Sequence, residues 1–393
     1  MLRADTRSVN IAGTSRTAGH DPAVIPSASS WRGGGLGCKI LNMQDLYIEN
    51  WTTGDDDIEL RVRGYGVVFC IRFSPETIKA PVLLQQHFNS LHALDTEAGS
   101  EVANQLARPF EPLMASLAPE AQDVAGDLLS DYLYPKHFVL EARASAEDTK
   151  STPFFRASIT GQDLTLPGGN IRMPQLVNLK LEEWVRNIYS SGQISLAPSN
   201  LGDARLSGPK KVLADGNPFF FKSFGKPPGG IYRELDIYKR IKEAMSLGTI
   251  GPDLRICHLH GVVIDRDILE TSTEQRLLGV LLTFIETNKL SRMGTLFYRV
   301  RGGKCTTETL SRWASELDDC ITKLHNAGIV WGDASPHNIL VNNEGNIWLI
   351  DFGGSYTPGW VDKEKCETVE GDLQGIERIK SFLANHSEKA NGV

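Results

Sequence analysis

The spacing of hydrophobic and polar residues in the first half of the chain predicts strands on both sides of a helical stretch. Apolar residues alternate or cluster in the strand-like runs and recur about every 3.6 residues in the helical runs. The strand-like runs are 57–63, 67–73, 137–143 and 154–160, and the helical runs are 100–116 and 119–133. This pattern predicts an additional amino-terminal α+β domain, an accessory domain over residues 43–160, and we identify no catalytic motif within it.

The pattern is sharper from residue 191 onwards. Asp215-Gly216-Asn217 separates two apolar runs and predicts a hairpin turn. Residues 307–327 carry the apolar stripe of a long amphipathic helix that ends near Gly328. The other predicted elements are a helix at 231–246 and strands at 211–214, 218–224, 260–264, 277–284, 339–341 and 347–350. The order of strands, helix, strands, long helix and β-hairpin predicts a two-lobed α+β unit.

Composition and charge narrow the class of protein. The chain has 393 residues, of which 41% are hydrophobic and 23% charged, values typical of a soluble protein with two or three domains. Its net charge of −7 provides no general basic field for nucleic-acid phosphates. The cysteines are scattered, and the sequence has neither a long apolar run nor a signal-peptide-like start. These features predict an intracellular protein, cytoplasmic or nuclear, that binds neither nucleic acid nor membrane.

The segments outside the predicted domains have little periodicity. Residues 1–42 are rich in Ser, Thr, Gly and Ala, which predicts a disordered tail. The glycine run at 33–37 follows no strand and opens no helix, so a flexible segment is favoured over a phosphate-binding loop. Residues 161–190 predict a connector, and residues 384–393 predict a flexible tail.

The motif with chemical content lies in the last third of the chain. Asp333 precedes Asn338 by five positions and Asp351 by eighteen. Transfer of the γ-phosphoryl group of ATP requires a carboxylate near the acceptor hydroxyl and oxygen ligands for Mg²⁺. The short hairpin between Asn338 and Asp351 folds the chain back towards one metal ion and leaves Asp333 to accept the hydroxyl proton. Asp and Asn are also common turn residues, but their joint spacing favours the catalytic interpretation.

These residues resemble the protein-kinase-like superfamily. The run D-A-S-P-H-N from Asp333 to Asn338 is similar to its catalytic loop, and D-F-G from Asp351 is similar to its metal-binding motif. The resemblance implies that Asp333 is the catalytic base, that Asn338 and Asp351 bind the metal, and that ATP and Mg²⁺ are the cofactors. The wider run is similar to kinase-like proteins common in filamentous fungi. By this resemblance residues 191–383 form a two-lobed protein-kinase-like domain with a β-rich amino lobe and a truncated helical carboxyl lobe.

The same resemblance assigns the residues that hold the nucleotide. Lys222 and Glu234 correspond to the strand lysine and helix glutamate that face the phosphates, which makes Lys222 a catalytic and a nucleotide-binding residue. The alternative for Lys222 is a solvent-facing side chain on an edge strand. Thr283, Ile285 and Leu340 are at the adenine positions, with backbone groups of 283–285 facing the base. The alternative for these three is an ordinary place in the core.

The chain departs from the superfamily pattern at several positions. Before the strand lysine, the phosphate-covering loop retains only Gly202 and Gly208 instead of a glycine triplet. Gly332 stands where an arginine is usual, so a phosphorylated activation loop has no arginine at this position to dock on. Asp372 resembles the aspartate that opens the central helix of the carboxyl lobe. Few residues follow it in this sequence, which predicts a reduced peptide-binding platform.

Two functions follow as alternatives. The first is an ATP-dependent phosphotransferase, a kinase that transfers the γ-phosphoryl group to a hydroxyl of a protein Ser or Thr or of a small molecule. The second is a pseudokinase-like interaction module that binds a nucleotide without turnover. The degraded glycine loop favours the second function, whereas the joint presence of the predicted catalytic and metal-binding residues favours the first.

Overall fold

The computed structural model describes the chain in several stretches that form two compact units. The described stretches are 46–54, 56–64, 67–92, 96–117, 127–159, 180–197, 210–223, 229–264, 277–287 and 294–391. The first unit contains the described residues between 46 and 159 and between 191 and 217. The second unit contains those between 180 and 190 and between 218 and 391. The predicted amino-terminal tail, most of the predicted connector and the glycines at 202 and 208 lie outside these stretches.

Strands and helices are numbered here in chain order. The strands are β1 (Leu46–Thr53), β2 (Ile58–Gly64), β3 (Val67–Phe73), β4 (His137–Arg143), β5 (Thr152–Ile159), β6 (Asn187–Ser190), β7 (Ser195–Leu196), β8 (Lys211–Ala214), β9 (Asn217–Ser223), β10 (Leu259–Ile264), β11 (Leu277–Thr283), β12 (Ile339–Val341) and β13 (Ile347–Leu349). The helices are α1 (Pro81–His92), α2 (Thr96–Ala107), α3 (Glu111–Leu117), α4 (Leu129–Leu133), α5 (Leu181–Trp184), α6 (Gly229–Ser246), α7 (Leu296–Arg301), α8 (Thr307–Asn326) and α9 (Val369–Asn391). This mixture confirms the predicted α+β class. Within the described stretches, no helix has the length and apolar character that crossing a bilayer requires.

The first unit is built on a five-stranded sheet, and α1, α2 and α3 contribute to the core on one face of it. The strand order is β1-β2-β3-β4-β5, and every neighbouring pair is antiparallel except the parallel pair β3–β4. A parallel pair needs a long crossover connection, and α1, α2 and α3 lie in this connection. Phe69 and Phe138 stack in the resulting core, with ring centroids 5.5 Å apart.

The helices of this unit differ from the predicted pattern. The predicted helix at 100–116 is split, because α2 ends at Ala107 and a 3₁₀ turn at Arg108–Phe110 separates it from α3. Pro109 has no N–H group to continue the helical ladder, which explains the break. Helix α1 was not predicted, since the apolar residues 82–84 are adjacent rather than helically spaced. Of the predicted helix at 119–133, the described part is helical only in α4.

The opposite face of the same sheet buries an ion pair. Arg63 on β2 donates to Glu49 on β1, and their side chains are only 4% and 18% exposed. Arg63 also donates to the backbone oxygen of Tyr132 at 3.1 Å and lies 4.1 Å from the centre of its ring. Burial disfavours the charged form of Glu49, but the charges of Arg63 and Arg61 outweigh burial and lower the pKa of Glu49.

The second unit contains strands in the order β6-β10-β11-β9. The pair β6–β10 is parallel, and the pairs β10–β11 and β11–β9 are antiparallel. Residues Asp215 and Gly216, which lead into β9, have φ angles of 50° and 76°. Positive φ at both positions is the geometry of a type I′ turn, and it confirms the predicted turn. Lys222 on β9 pairs with Val280 on β11.

The carboxyl-terminal part of this unit consists of helices around a small hairpin. Helix α8 begins after Thr306, whose hydroxyl accepts the N–H of Thr309 at 3.3 Å. Gly328 follows the helix with a φ of 71°, as predicted for its carboxyl-terminal end. Strands β12 and β13 form the predicted antiparallel hairpin. Helix α9 continues past residue 384, where a flexible tail was predicted, and the sequence from 376 to 391 contains neither Pro nor Gly to end it.

The buried ion pair of the first unit leads to a test of stability. We expect Arg63→Met to lower the local free energy of unfolding by about 1.5–3 kcal/mol, because it removes charge-assisted hydrogen bonds of Arg63 and leaves the buried Glu49 carboxylate with Arg61 alone, at 3.6 Å. Hydrogen exchange of β2 and β3 amides, followed by mass spectrometry, measures this loss. Arg72→Met is the matched control, since Arg72 is 47% exposed and binds Glu59 on the neighbouring strand; we expect about 1 kcal/mol or less.

The same ion pair predicts how the stability of the first unit depends on pH. A carboxyl group with a lowered pKa in the folded state stabilises the fold above its unfolded pKa of about 4.3 and loses this contribution as the pH falls through its folded pKa. The difference between wild type and Arg63→Met is therefore expected to shrink in acid. Equal effects of Arg63→Met and Arg72→Met at neutral pH would contradict the assignment.

Candidate active site

The ammonium group of Lys222 lies between two carboxylates. Its Nζ atom is 2.9 Å from Glu234 Oε1 on α6 and 2.7 Å from Asp351 Oδ1 in the segment after β13. The three side chains are 13%, 4% and 5% exposed. The alternative of a solvent-facing lysine is therefore wrong, and the structure brings together three residues that are far apart in sequence.

The charges in this group stabilise one another. Burial disfavours the ammonium form of Lys222, but the carboxylates of Asp351 and Glu234 outweigh burial and raise the pKa of Lys222. Burial raises the pKa of Glu234, and Lys222 opposes this shift. Asp351 has a φ of 60°, a left-handed conformation that costs energy for a residue with a side chain. Such strain is characteristic of functional sites.

A second group is centred on Asp333, whose side chain is buried. Asn338 Nδ2 donates to the backbone oxygen of Asp333 at 3.0 Å and to its Oδ2 at 3.1 Å. Thr357 Oγ1 also donates to Oδ2, at 3.0 Å. Burial raises the pKa of Asp333 to about 6, the hydrogen bond from Thr357 opposes the rise, and the charge of Asp351 adds to it. Sequence reasoning missed Thr357, because a threonine in an irregular segment carries no pattern that points to Asp333.

The backbone of the hairpin links the two groups. The N–H of Ile350 donates to the backbone oxygen of Asn338 at 3.0 Å, so Asp351 follows immediately after a residue bonded to Asn338. The hairpin therefore folds the chain back as its length predicted. The assignment of Asn338 and Asp351 as metal ligands stays a prediction.

The donor set fits a hard divalent cation. Asn338 Oδ1 and Asp333 Oδ1 are buried and have no hydrogen-bond partner among the described residues. Buried acceptor oxygens are nearly always satisfied, and Mg²⁺ prefers such carboxylate and amide oxygens. The described residues contain no group of three or more His, Cys, Asp and Glu side chains placed to hold a metal ion. The candidate donors are therefore the Asn338 amide oxygen and the Asp351 carboxylate, whereas Asp333 Oδ1 is the unpartnered oxygen of the candidate base.

The backbone before Asp333 is fixed by Asp372 in the first turn of α9. Its Oδ2 accepts the N–H of Trp331 and its Oδ1 accepts the N–H of Gly332, both at 2.8 Å. His325 Nε2 lies 2.9 Å from Oδ2. The carboxylate is buried, so it satisfies two backbone donors that have no water available. Asp372 thus holds the loop that carries the candidate base.

The predicted adenine positions have mixed outcomes. The N–H of Thr283 donates to the backbone oxygen of His258 at 3.0 Å, so this donor is not presented to a base, contrary to prediction. Thr283 Oγ1 accepts the N–H of His258 at 3.1 Å. Ile285 and Leu340 are partly exposed. The N–H of Asn343 donates to the backbone oxygen of Glu286 at 3.0 Å, which places the segment of Ile285 beside the β12–β13 hairpin of Leu340.

Comparison with known proteins finds serine/threonine-protein kinases. The chain is 28% identical over 194 residues to Sgk1 of Danio rerio, which covers 47% of this chain and 42% of that protein. It is 28% identical to human Sgk1 over 173 residues, which are 42% of this chain and 38% of that protein. It is 35% identical to Sgk1-B of Xenopus laevis over 214 residues, which are 51% of this chain and 47% of that protein. The matched region spans less than half the length of these relatives. No protein-family model matches the chain.

These similarities support a relationship to protein kinases at the level of the superfamily, and the α+β second unit is compatible with a two-lobed kinase-like fold. The closer resemblance to kinase-like proteins of filamentous fungi stays a prediction. The division of the chain into an accessory domain, a connector and a kinase-like domain also stays a prediction.

The role of Asp372 leads to a local test. We expect Asp372→Asn to speed hydrogen exchange of the peptide containing Trp331 and Gly332 at least tenfold, because the two N–H groups bond to different carboxylate oxygens and an amide replaces one of these acceptors by an NH₂ donor. Loss of one buried hydrogen bond costs about 1–3 kcal/mol. Glu370→Gln on the same helix is the control, since Glu370 is 72% exposed. Wild-type exchange in Asp372→Asn would refute the role.

Proposed function

We propose that this protein is an ATP-dependent phosphotransferase of protein-kinase-like fold that transfers the γ-phosphoryl group to a hydroxyl acceptor. The observation that carries the proposal is the placement of the Lys222 ammonium between Glu234 and Asp351, at 2.9 and 2.7 Å. Phosphoryl transfer depends mainly on positioning and on neutralising charge, and a fixed buried cation serves both purposes.

Each residue of the site has a role in this reaction. Lys222 binds phosphate oxygens of ATP, and Glu234 holds its ammonium group in position. Asn338 Oδ1 and the Asp351 carboxylate are the oxygens that would hold Mg²⁺. When bound, Mg²⁺ neutralises charge that develops on the phosphates. Because Lys222 donates to Asp351 Oδ1, a cation held by Asp351 would share this carboxylate with the ammonium group.

Asp333 acts on the acceptor. Thr357 and Asn338 both donate to Oδ2, so Oδ1 is the oxygen left to accept the proton of the acceptor hydroxyl. The acceptor oxygen forms a bond to the γ-phosphorus, and the bond from that phosphorus to the bridging oxygen of ADP breaks. Fixing Oδ2 with two donors orients Oδ1 without rotation of the carboxylate.

The acceptor is a hydroxyl of a protein Ser or Thr or of a small molecule. The names of the matched relatives support a protein acceptor. Gly332 before Asp333 supports a small-molecule acceptor, since this pair also occurs in antibiotic and choline kinases. A panel of generic protein substrates and alcohol metabolites, incubated with labelled ATP, distinguishes the two classes.

A nucleotide-binding module without turnover is the second candidate. One observation favours it: before Lys222 the chain retains only Gly202 and Gly208 of the phosphate-covering glycine triplet, which weakens the positioning of the phosphates that turnover requires. Saturable stabilisation by ATP and Mg²⁺ without transfer to any member of the acceptor panel would select this candidate over the enzyme.

Three substitutions separate the roles. Asp333→Asn is expected to lower turnover by about 10²–10⁴ and leave ATP binding near wild type, because it removes only proton transfer and acceptor orientation. Asp351→Asn is expected to remove the Mg²⁺-dependent part of the thermal stabilisation by ATP. Lys222→Met is expected to weaken both ATP binding and turnover. Thermal-shift titration and labelled-phosphate transfer measure these effects.

A matched control is Asp319→Asn. Asp319 lies on α8, is 61% exposed and binds Lys323, so its removal is expected to change neither readout. Undiminished turnover in Asp333→Asn would remove this residue from the mechanism. Unchanged ATP stabilisation in both Lys222→Met and Asp351→Asn would overturn the site as a whole.

A further inference from the structure

Arg233, the residue before Glu234 on α6, reaches across to the loop that carries Asp333. A Cβ atom added at Gly332 would collide with Arg233 Nη2, and one added at Gly354 would collide with Arg233 Nε. The guanidinium group therefore occupies space that exists only because both positions are glycine. Gly332 also has a φ of 97°, which residues with side chains rarely adopt.

Glu367 completes this arrangement from the segment that precedes α9. Its Oε1 lies 3.8 Å from Arg233 Nε and accepts the N–H of Ser355 at 3.1 Å. Its own N–H donates to the backbone oxygen of Gly332 at 3.2 Å. Glu367 thus touches the helix, the loop before Asp333 and the segment after Asp351.

The contact between Arg233 and Glu367 is an attraction between charges. The separation of 3.8 Å is too long for a hydrogen bond, and Nε and Nη2 of Arg233 are buried without a hydrogen-bond partner among the described residues. The side chains are 21% and 44% exposed, so water screens the pair only in part. Glu367 and Ser355 have φ angles of 61° and 88°, strained values for residues with side chains.

We propose that Arg233 and Glu367 are positioning residues that hold α6 against the catalytic loop, so that Glu234 stays on Lys222. The proposal rests on the proposed function. Arg233 and Glu234 are consecutive and point about 100° apart on the helix, so two anchors on different partners fix its rotation, which a single anchor leaves free.

Because Glu367 already provides a negative charge for Arg233, holding α6 in place does not require a phosphate group in the segment 355–367. The usual arginine is missing at Gly332, and the cation comes instead from α6. The anion is the Glu367 carboxylate, which carries its charge without covalent modification. The arrangement is therefore complete in the unmodified chain.

The test compares wild type with Arg233→Met, Glu367→Gln and the charge exchange Arg233→Glu with Glu367→Arg. Arg240→Met is the matched control, because Arg240 lies on the same helix, is exposed and forms an ion pair with Asp236 at 3.0 Å. None of the single substitutions removes a buried apolar side chain.

Hydrogen exchange is the first readout and does not depend on activity. Exchange of peptides from α6 and from 351–368 is expected to rise at least fivefold in Arg233→Met and Glu367→Gln and to stay at the wild-type rate in Arg240→Met. The double variant with the two charges interchanged is expected to reverse at least half of this rise in hydrogen exchange. Wild-type exchange in Arg233→Met would overturn the proposal.

Turnover of ATP is the second readout. Arg233→Met is expected to lower kcat about tenfold in the wild-type background but less than twofold when Glu234→Gln is already present, because both residues act through the position of α6. Losses that multiply in the double variant would overturn the positioning role. If the wild type shows no turnover and no Lys222-dependent ATP stabilisation, the proposed function fails, while hydrogen exchange still decides whether the pair positions α6.

Phosphatase treatment of the wild type tests independence from modification. Mass spectrometry of the peptide 351–368 establishes that it carries no phosphate after treatment. Turnover is expected to stay within twofold of the untreated protein. A loss of more than tenfold would overturn the inference that Glu367 supplies the negative charge.

Discussion

A buried ammonium ion bonded to two carboxylates ties together three elements of the second unit. Lys222 comes from β9, Glu234 from α6 and Asp351 from the segment after β13, so neutralising one cation fixes three elements. A buried charge left without its partner typically costs 3–5 kcal/mol. An arrangement in which one of these elements moves away therefore has a much higher free energy than the arrangement in which all three charges are in contact.

Much of the described chain from residue 210 onwards could be predicted from the sequence, because the informative patterns are local. The turn at Asp215-Gly216 follows from residue types that tolerate positive φ, and α8 follows from its apolar stripe and from Gly328 after its end. Asp333, Asn338 and Asp351 were found by spacing around a short hairpin. The contacts of Thr357 and Arg233 were not predicted, since each joins residues far apart in sequence through irregular segments.

In the first unit, the alternation of apolar and polar residues along a strand predicts burial wrongly. Alternation along β2 assigns Leu60 and Val62 to the core and implies that Arg61 and Arg63 face solvent, yet both arginines are buried. The reason is tertiary: Arg63 meets Glu49 from the neighbouring strand and Tyr132 from a distant segment. A charged residue in a strand indicates that this face of the sheet is polar. Whether the face is buried or exposed to solvent depends on the partners of that residue.

The same distinction bears on the missing arginine at Gly332. Judged from sequence, its absence removes a positive charge from the loop before Asp333; in three dimensions the guanidinium group of Arg233 occupies that place. Electrostatic requirements are set by position in space, because Coulomb attraction depends on separation and surroundings and not on chain order. Because glycine has no side chain, Gly332 also leaves space that a side chain from a neighbouring element, here Arg233, can occupy. The strained φ of Glu367, which meets that cation, is consistent with a geometry imposed by the partner.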